Sequence, residues 1–249
     1  ETGNTGAYAT CTPCDHMMEQ MTPTSSWGTS FVSAPYYNSA GTVMQDGSYL
    51  RVVTYDPGTT SFSVTGFPAQ TLSGKGAYKD YKITAGTVVT SNKAIGLYQI
   101  MASSSCYSSA GSVGDADLVS IIPEQQWGQY YPFITGDPSA GYFQNFIILV
   151  TKGASNSIYI DGTVQSGYTA IGTTGYYYKP ISITGGAHAA MGDAPFMVYV
   201  YGVADVESYS YPASGSNLSP ILLPVNLLNF AASLNNSGVV NLTWSTASE

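Results

Sequence analysis

Basic residues are almost missing from this chain. Arg51 and six lysines stand against 15 acidic residues, giving a formal net charge of −8 over 249 residues. Phosphate backbones are bound by dense basic footprints, so nucleic-acid binding is excluded. The same shortage excludes docking on an anionic membrane surface. Charged residues of both signs reach only 9%, against about 25% in an average soluble domain. Long apolar runs are missing as well. Phe146-Ile147-Ile148-Leu149-Val150 is among the longest, far short of a membrane span. No basic-then-apolar signal segment opens the chain; it reads as a soluble mature fragment without direct membrane insertion.

Helix-forming stretches of Ala, Leu, Glu and Lys are also scarce. Gly, Ser, Thr and 21 tyrosines take their place, a mixture suited to strands and turns. Hydrophobic residues at 44% and aromatics at 13% suffice for a sizeable core, in one large or two small domains.

An internal repeat organises the chain. Trp27-Gly28 recurs as Trp127-Gly128, Ser39-Ala40-Gly41 as Ser139-Ala140-Gly141, and Ile83-Thr84 as Ile183-Thr184, each 100 residues on. Between the last two anchors the offset slips to 96, where Phe62-Ser63-Val64-Thr65-Gly66 faces Ile158-Tyr159-Ile160-Asp161-Gly162. Each copy reads as short strands between turn signals. In the first, Tyr49 to Tyr55 and Ser61 to Thr65 flank the turn Asp56-Pro57-Gly58-Thr59. In the second, Phe146 to Thr151 and Ser157 to Ile160 flank Lys152 to Asn156. Later strands are expected at 81–84, 94–101, 177–183 and 196–203. In the last, Phe196, Val198 and Val200 alternate with Met197, Tyr199 and Tyr201, which suits a strand between two packed layers.

The fold class is therefore all-β: two tandem, duplicated β-sandwich repeats plus a C-terminal β-hairpin tail. The expected divisions are an N-terminal segment 1–26, a first repeat 27–126, a second repeat 127–212, a Ser- and Gly-rich linker 213–219, and the hairpin 220–249. In the hairpin, Val240, Leu242 and Trp244 alternate with polar positions. Two strands cannot bury such a face unaided, so the tail belongs to a further β-domain or packs on a partner.

Three blocks carry a family resemblance. Cys14-Asp15-His16-Met17-Met18-Glu19-Gln20-Met21 with Trp27-Gly28 is one. Ile122-Pro123-Glu124-Gln125-Gln126-Trp127 is the second. Gly186-Ala187-His188, Pro195-Phe196-Met197-Val198-Tyr199-Val200-Tyr201-Gly202 and Ser208-Tyr209-Ser210-Tyr211-Pro212 form the third. Together they resemble the N-terminal domain family of the IgG Fc-binding protein, a mucus-associated secreted protein, whose domain also occurs in bacterial surface proteins. Ser210 replaces the Gly usual in the closing block. The tail, Leu223-Pro224-Val225 through Trp244-Ser245-Thr246-Ala247-Ser248-Glu249, is similar to the start of a β-domain of Bacteroidota exoproteins exported by the type IX route. The resemblance implies an extracellular, cell-surface protein made as a larger chain. It does not imply that this copy binds antibody.

At a cell surface a disulfide is allowed, and three cysteines leave one over. Cys14–Cys106 is the expected pair, pinning the N-terminal segment to the first repeat, with Cys11–Cys106 as the rival. Cys11-Thr12-Pro13-Cys14 has redox spacing without the βαβ context, and a thiolate zinc site lacks a second pair. His16 and Glu19 share a helical face, a structural arrangement unless a second such motif joins it. His188, with Val88 as its repeat-mate, reads as a packing or turn residue.

No G-x-S-x-G elbow, H-E-x-x-H, P-loop or dinucleotide fingerprint is present. No carboxylate pair stands out for glycoside chemistry. The chain is read as a non-enzyme with no catalytic residue and no cofactor. Asp115 and Asp117 are weak calcium candidates in a loop. Tyr36, Tyr37, Tyr130, Tyr131, Tyr176 and Tyr177 are the candidate ligand-binding residues, since paired tyrosines offer rigid contact area; the competing role for them is to fill half-buried strand faces. The expected function is an adhesion or binding module for a glycan or glycoprotein. The alternative is a structural subunit of a filament, stalk or layer, binding copies of itself by tail-strand exchange.

Overall fold

A computed structural model describes residues 17–44, 47–101, 113–137, 139, 141, 144–205, 207–213, 227–234 and 240–246. Cys11, Cys14, Cys106, His16 and most of the 213–219 linker lie outside the described residues, and so do both expected disulfide pairings. The chain divides into two compact units, Glu1–Ser216 and Asn217–Glu249.

Among the described residues the fold is all-β, broken only by short turns. The first half holds β1 (Gly28–Ser33), β2 (Ser48–Thr54), β3 (Thr59–Val64), β4 (Gln70–Ser73), β5 (Tyr78–Ile83), β6 (Thr87–Met101) and β7 (Asp117–Ser120). The second holds β8 (Gly128–Thr135), β9 (Gln144–Lys152), β10 (Ile158–Ile160), β11 (Thr163–Val164), β12 (Thr169–Ala170), β13 (Tyr176–Ile183), β14 (Gly186–Val203) and β15 (Ser208–Pro212). The first sheet runs β4-β3-β6-β2-β5, with β1 and β7 also on β6. The second runs β11-β10-β14-β9-β13-β12, with β8 and β15 also on β14. Apart from β12, one order is the other.

The long strand explains the curl of each sheet. The first part of β6 lies between β1 and β3, and the second part between β2 and β7. Likewise β14 passes from β8 and β10 to β9 and β15. At the crossover both halves break register identically. From Gly28↔Ile95 to Ser30↔Thr90, β1 spends two residues and β6 five; from Gly128↔Phe196 to Tyr130↔Met191, β8 and β14 do the same. A three-residue excess bends the strand out of one layer into the other, as bulges do at sheet corners. The two tryptophans anchor matching turns. The Trp27 indole N–H donates to the Thr22 carbonyl at 3.3 Å, and that of Trp127 to the Ile122 carbonyl at 3.4 Å.

Two cores result. One belongs to the second half alone and contains Tyr131, Phe133, Ile147, Leu149, Phe196, Val198 and Val200. The other joins both halves, packing Phe31, Leu50, Val52 and Ile95 in one cluster with Phe146, Ile148, Tyr199 and Tyr201. Alternate residues of β14 therefore enter different cores, and the strand is buried on both faces, as its double-sided apolar pattern requires.

The ladders correct one equivalence. They place Ile95 opposite Gly28 as Phe196 stands opposite Gly128, an offset of 101, so the counterpart of His188 is Thr87, not Val88. One extra residue in the β13–β14 turn causes the slip. The His188 ring packs tilted on Phe133 and sits within hydrogen-bond distance of the Asp161 carboxylate, at 2.7 Å, and of the Thr184 carbonyl, at 3.0 Å.

The second unit is a hairpin of β16 (Leu227–Leu234) and β17 (Val240–Thr246), paired as a two-stranded sheet with Val240 and Leu242 exposed.

Candidate binding face

The outward side chains of β2 are Tyr49, Arg51 and Val53, because Leu50 and Val52 point into the core. Ladder pairing sets Arg51 beside Asp80 and Val53 beside Tyr78 on β5, and Arg51 beside Tyr98 on β6. Met17, Met21 and Trp27 border this face from the preceding segment, enclosing a groove of about 530 Å³ that Leu118 and Ile100 complete. Its polar centre is fixed. Arg51 donates from Nε and Nη2 to the two oxygens of Asp80, both at 2.8 Å, and its guanidinium lies 4.4 Å from the centre of the Tyr78 ring. Trp27 meets Tyr98 and Tyr55 edge-on at 6.5 and 6.3 Å, and Lys75 Nζ sits 4.7 Å over Tyr55. Burial, aided by the charge of Glu19, pushes the Tyr98 hydroxyl pKa up. Aromatic rings around a held guanidinium form a surface for flat, partly polar ligands.

The same face of the second half is covered. By ladder position Arg51 corresponds to Ile148, Tyr98 to Tyr199, Ile100 to Tyr201 and Tyr78 to Tyr178. The first half sits on these residues. Tyr199 Oη donates to the Val32 carbonyl at 3.2 Å. Tyr201 Oη accepts the Tyr37 N–H at 2.9 Å and donates to the Tyr37 carbonyl at 2.8 Å. A side chain on Gly86 would begin 2.6 Å from the Tyr178 ring.

That seam accounts for several tyrosines singled out from the sequence. Tyr36, 2% exposed, donates to Ser210 Oγ at 3.3 Å and packs edge-on against Tyr201. Tyr37 shares a 2.9 Å hydroxyl contact with Tyr178. Tyr176 is buried, donating to Glu124 at 2.5 Å beside Trp127. Tyr131, 1% exposed, donates to the Phe196 carbonyl at 2.6 Å, and burial pushes its hydroxyl up to about 12. Tyr177 is half-buried on β13, and Tyr130 is open at 56% exposure. The six therefore do not converge on one surface.

Asp115 and Asp117 part company too. Asp115 Oδ1 accepts the Ala116 N–H at 2.7 Å. Asp117 turns to the seam, where Ser210 Oγ donates to it. Burial pushes its carboxyl up to about 6, the Ser210 bond and a backbone N–H offsetting part of this. Among the described residues no three His, Cys, Asp or Glu side chains gather around a point that could hold a metal.

The sequence reasoning missed Trp27, Arg51, Tyr78 and Tyr98 as a group. A signal existed: Tyr49-Leu50-Arg51-Val52-Val53 set beside Phe146-Ile147-Ile148-Leu149-Val150 puts a charge where the other repeat has isoleucine.

No curated protein matches the chain. Among the described residues no helix is long and apolar enough to cross a membrane. A family model described as IgGFc binding protein matches residues 2–202, which take in the first sheet, the groove and the second sheet up to the end of β14, and the chain belongs to that family.

Proposed function

We propose that this chain is a non-enzymatic extracellular binding module, and that its recognition surface for a glycan or glycoprotein is the open face of the first sheet. One observation carries the reading: two sheets share a strand order, yet the face that the second buries beneath the first half keeps a groove on the first, where Tyr49, Tyr98 and Ile100 are buried beside Met17 and Trp27 while Tyr78 stays exposed. That groove is where the Arg51–Asp80 pair and exposed Tyr78 stand, a combination suited to stacking beside a fixed polar centre. Membership in a family named for binding supports the module reading, and the tail motif supports a surface protein of the Bacteroidota type.

Glycan and mucin arrays, with immunoglobulin G Fc included among the glycoproteins, test it directly. Wild type is expected to capture a ligand that Tyr78→Ala holds about tenfold more weakly, roughly 1.4 kcal/mol. Capture unaffected by Tyr78→Ala, or no capture at all, overturns the assignment.

A second reading, a subunit joined through its tail, is favoured by the hairpin alone. Val240 and Leu242 are exposed on a two-stranded sheet, which is marginal without a partner. Negative-stain filaments abolished by Val240→Asp with Leu242→Asp would establish it.

A further inference from the structure

The outer face of the second sheet is apolar where the first is hydroxylic. Ladder pairing lines up Tyr130, Met191, Tyr159 and Val164 across β8, β14, β10 and β11. In the first sheet the same row reads Ser30, Thr90 and Ser63. Tyr130, Met191 and Val164 are 56, 54 and 58% exposed, and Ile134, four pairs further along β8 and on the same face, is 68% exposed. Among the described residues of the second half, every exposed large hydrophobic side chain lies on this one face. A concentrated patch of that kind marks an interaction surface, unlike scattered apolar residues.

The ladder at issue already serves as an interface once within the chain. In the first half, Val32 pairs with Val88 and both are buried, and Val32 carries the carbonyl that Tyr199 bonds. Its counterpart in the second half is Pro132 with Ala189, and there Pro132 is exposed.

We propose that two copies of this chain dimerise about a two-fold axis by packing these outer faces together. Shape favours this occupant. On β8 the residues Tyr130, Pro132 and Ile134 form a ridge, and beside it Ala187 and Ala189 of β14 leave a trough. A two-fold axis lays each ridge in the other copy's trough, the self-complementary arrangement of an isologous interface. The charged side chains next along the outward rows, Asp161 after Tyr159 and Asp193 after Met191, accept the backbone N–H groups of Ala189 and Ser157 and stand at the rim of the patch. Head-to-tail repetition of the internal seam is disfavoured. Ala187 stands where the seam has Gly86 tight against Tyr178, and the open face of the first half is bordered by Met17, Met21 and Trp27. Dimerisation through the second half leaves both grooves open, so that a ligand with repeated epitopes is held with avidity.

Sedimentation equilibrium of the full chain over a wide concentration range tests this. A monomer–dimer equilibrium ending at twice 26.2 kDa is expected. Moderate salt should leave it unchanged or strengthen it, since the two acidic rims repel. Ile134→Asp with Met191→Asp places charge on the ridge and on the β14 row beside it, and Ala187→Asp fills the trough. Each is expected to weaken dimerisation at least 100-fold while circular dichroism and melting stay as in wild type, these positions being exposed. A monomeric wild type at every concentration overturns the proposal, as does a dimer indifferent to either variant. Mass climbing past the dimer, and abolished by the same variants, overturns the two-fold arrangement. Array capture by the monomeric variants keeps the ligand-binding reading separate, because it depends on the other half.

Discussion

Two sheets with one strand order expose and bury opposite things. On the second sheet, the face made by β9, β13 and β14 is dry: Ile148, Val150, Tyr178 and Tyr199 lie beneath the first half. On the first sheet, the same face carries Arg51 and Asp80 in a bidentate pair, with Tyr78 exposed beside them. The backbone framework is indifferent to the choice. What differs is desolvation, which a charged pair tolerates at a groove and an unpaired charge does not tolerate at a seam. Comparing the two copies therefore separates residues that hold the halves together from residues that line the groove.

The most severe way to break the comparison is to move the charge. Ile148→Arg puts an unpaired guanidinium into the shared core, where an uncompensated buried charge costs about 3–5 kcal/mol. That is a large share of the 5–15 kcal/mol typical of a folded domain. Urea unfolding should show a collapse of the midpoint, and a shift no larger than that of a surface variant would mean that the seam opens easily.

The seam also sets a pH dependence. Burial pushes Asp117 up to about 6 from about 3.9 in an unfolded chain. Between those values the folded state holds more protons than the unfolded one, so this group adds stability as pH falls from 7 towards 4. The full span is about 3 kcal/mol. Glu19, raised chiefly by burial, acts in the same direction. Glu124 acts in the opposite sense. Burial pushes it up, but donors on Lys152, Tyr176 and Ser30 outweigh burial and leave it low, so its contribution is lost as pH falls through its lowered folded-state value. Urea midpoints at pH 7 and 5 should converge in Asp117→Asn relative to wild type, the variant being the more stable at pH 7. An unchanged difference between the two midpoints would remove Asp117 from the account.

Gly86 and Ala187 supply a gentler contrast. They occupy one ladder position, yet a methyl on Gly86 would meet the Tyr178 ring at 2.6 Å. Gly86→Ala is expected to cost about 1–3 kcal/mol by overpacking. Ala187→Gly, at an exposed site, should cost about 1 kcal/mol or less. Equal midpoint shifts in the two variants would show that the halves are not held as tightly as the seam geometry requires.

How much of this the sequence carried follows from how local each feature is. Turn residues around Pro57 and Gly58 and the 100-residue anchors reveal an all-β duplication, because they depend on neighbours in the chain. The first part of β6 escaped notice: Thr90, Ser91 and Asn92 are polar and line an open hydroxylic surface, so no apolar alternation marks them. The one-residue slip at His188 lies beyond the Ile183-Thr184 anchor, where no matching dipeptide resets the register. Trp27, Arg51, Tyr78 and Tyr98 are joined only by strand pairing across seventy residues, which no local pattern reports. Paired tyrosines divide between faces for the converse reason. Alternation sends neighbours to opposite faces, so Tyr130 is exposed while Tyr131 is buried.

The smallest expected effect on stability is the most informative about function. Arg51→Ile installs at the open face the residue that the covered face carries, and the framework accepts it, since Ile148 sits at the same position with 1% exposure. The lost ion pair is partly solvated, with side-chain exposures of 29 and 15%, and pairs of that kind contribute about 0–1 kcal/mol. Combining the change with Asp80→Asn avoids stranding a carboxylate. Unfolding should then shift by less than about 1 kcal/mol, while array capture of any glycan or glycoprotein bound by wild type falls at least tenfold. If capture persists in a double variant that folds normally, the guanidinium serves only to keep the face wet, and recognition rests on exposed Tyr78 and its aromatic border instead.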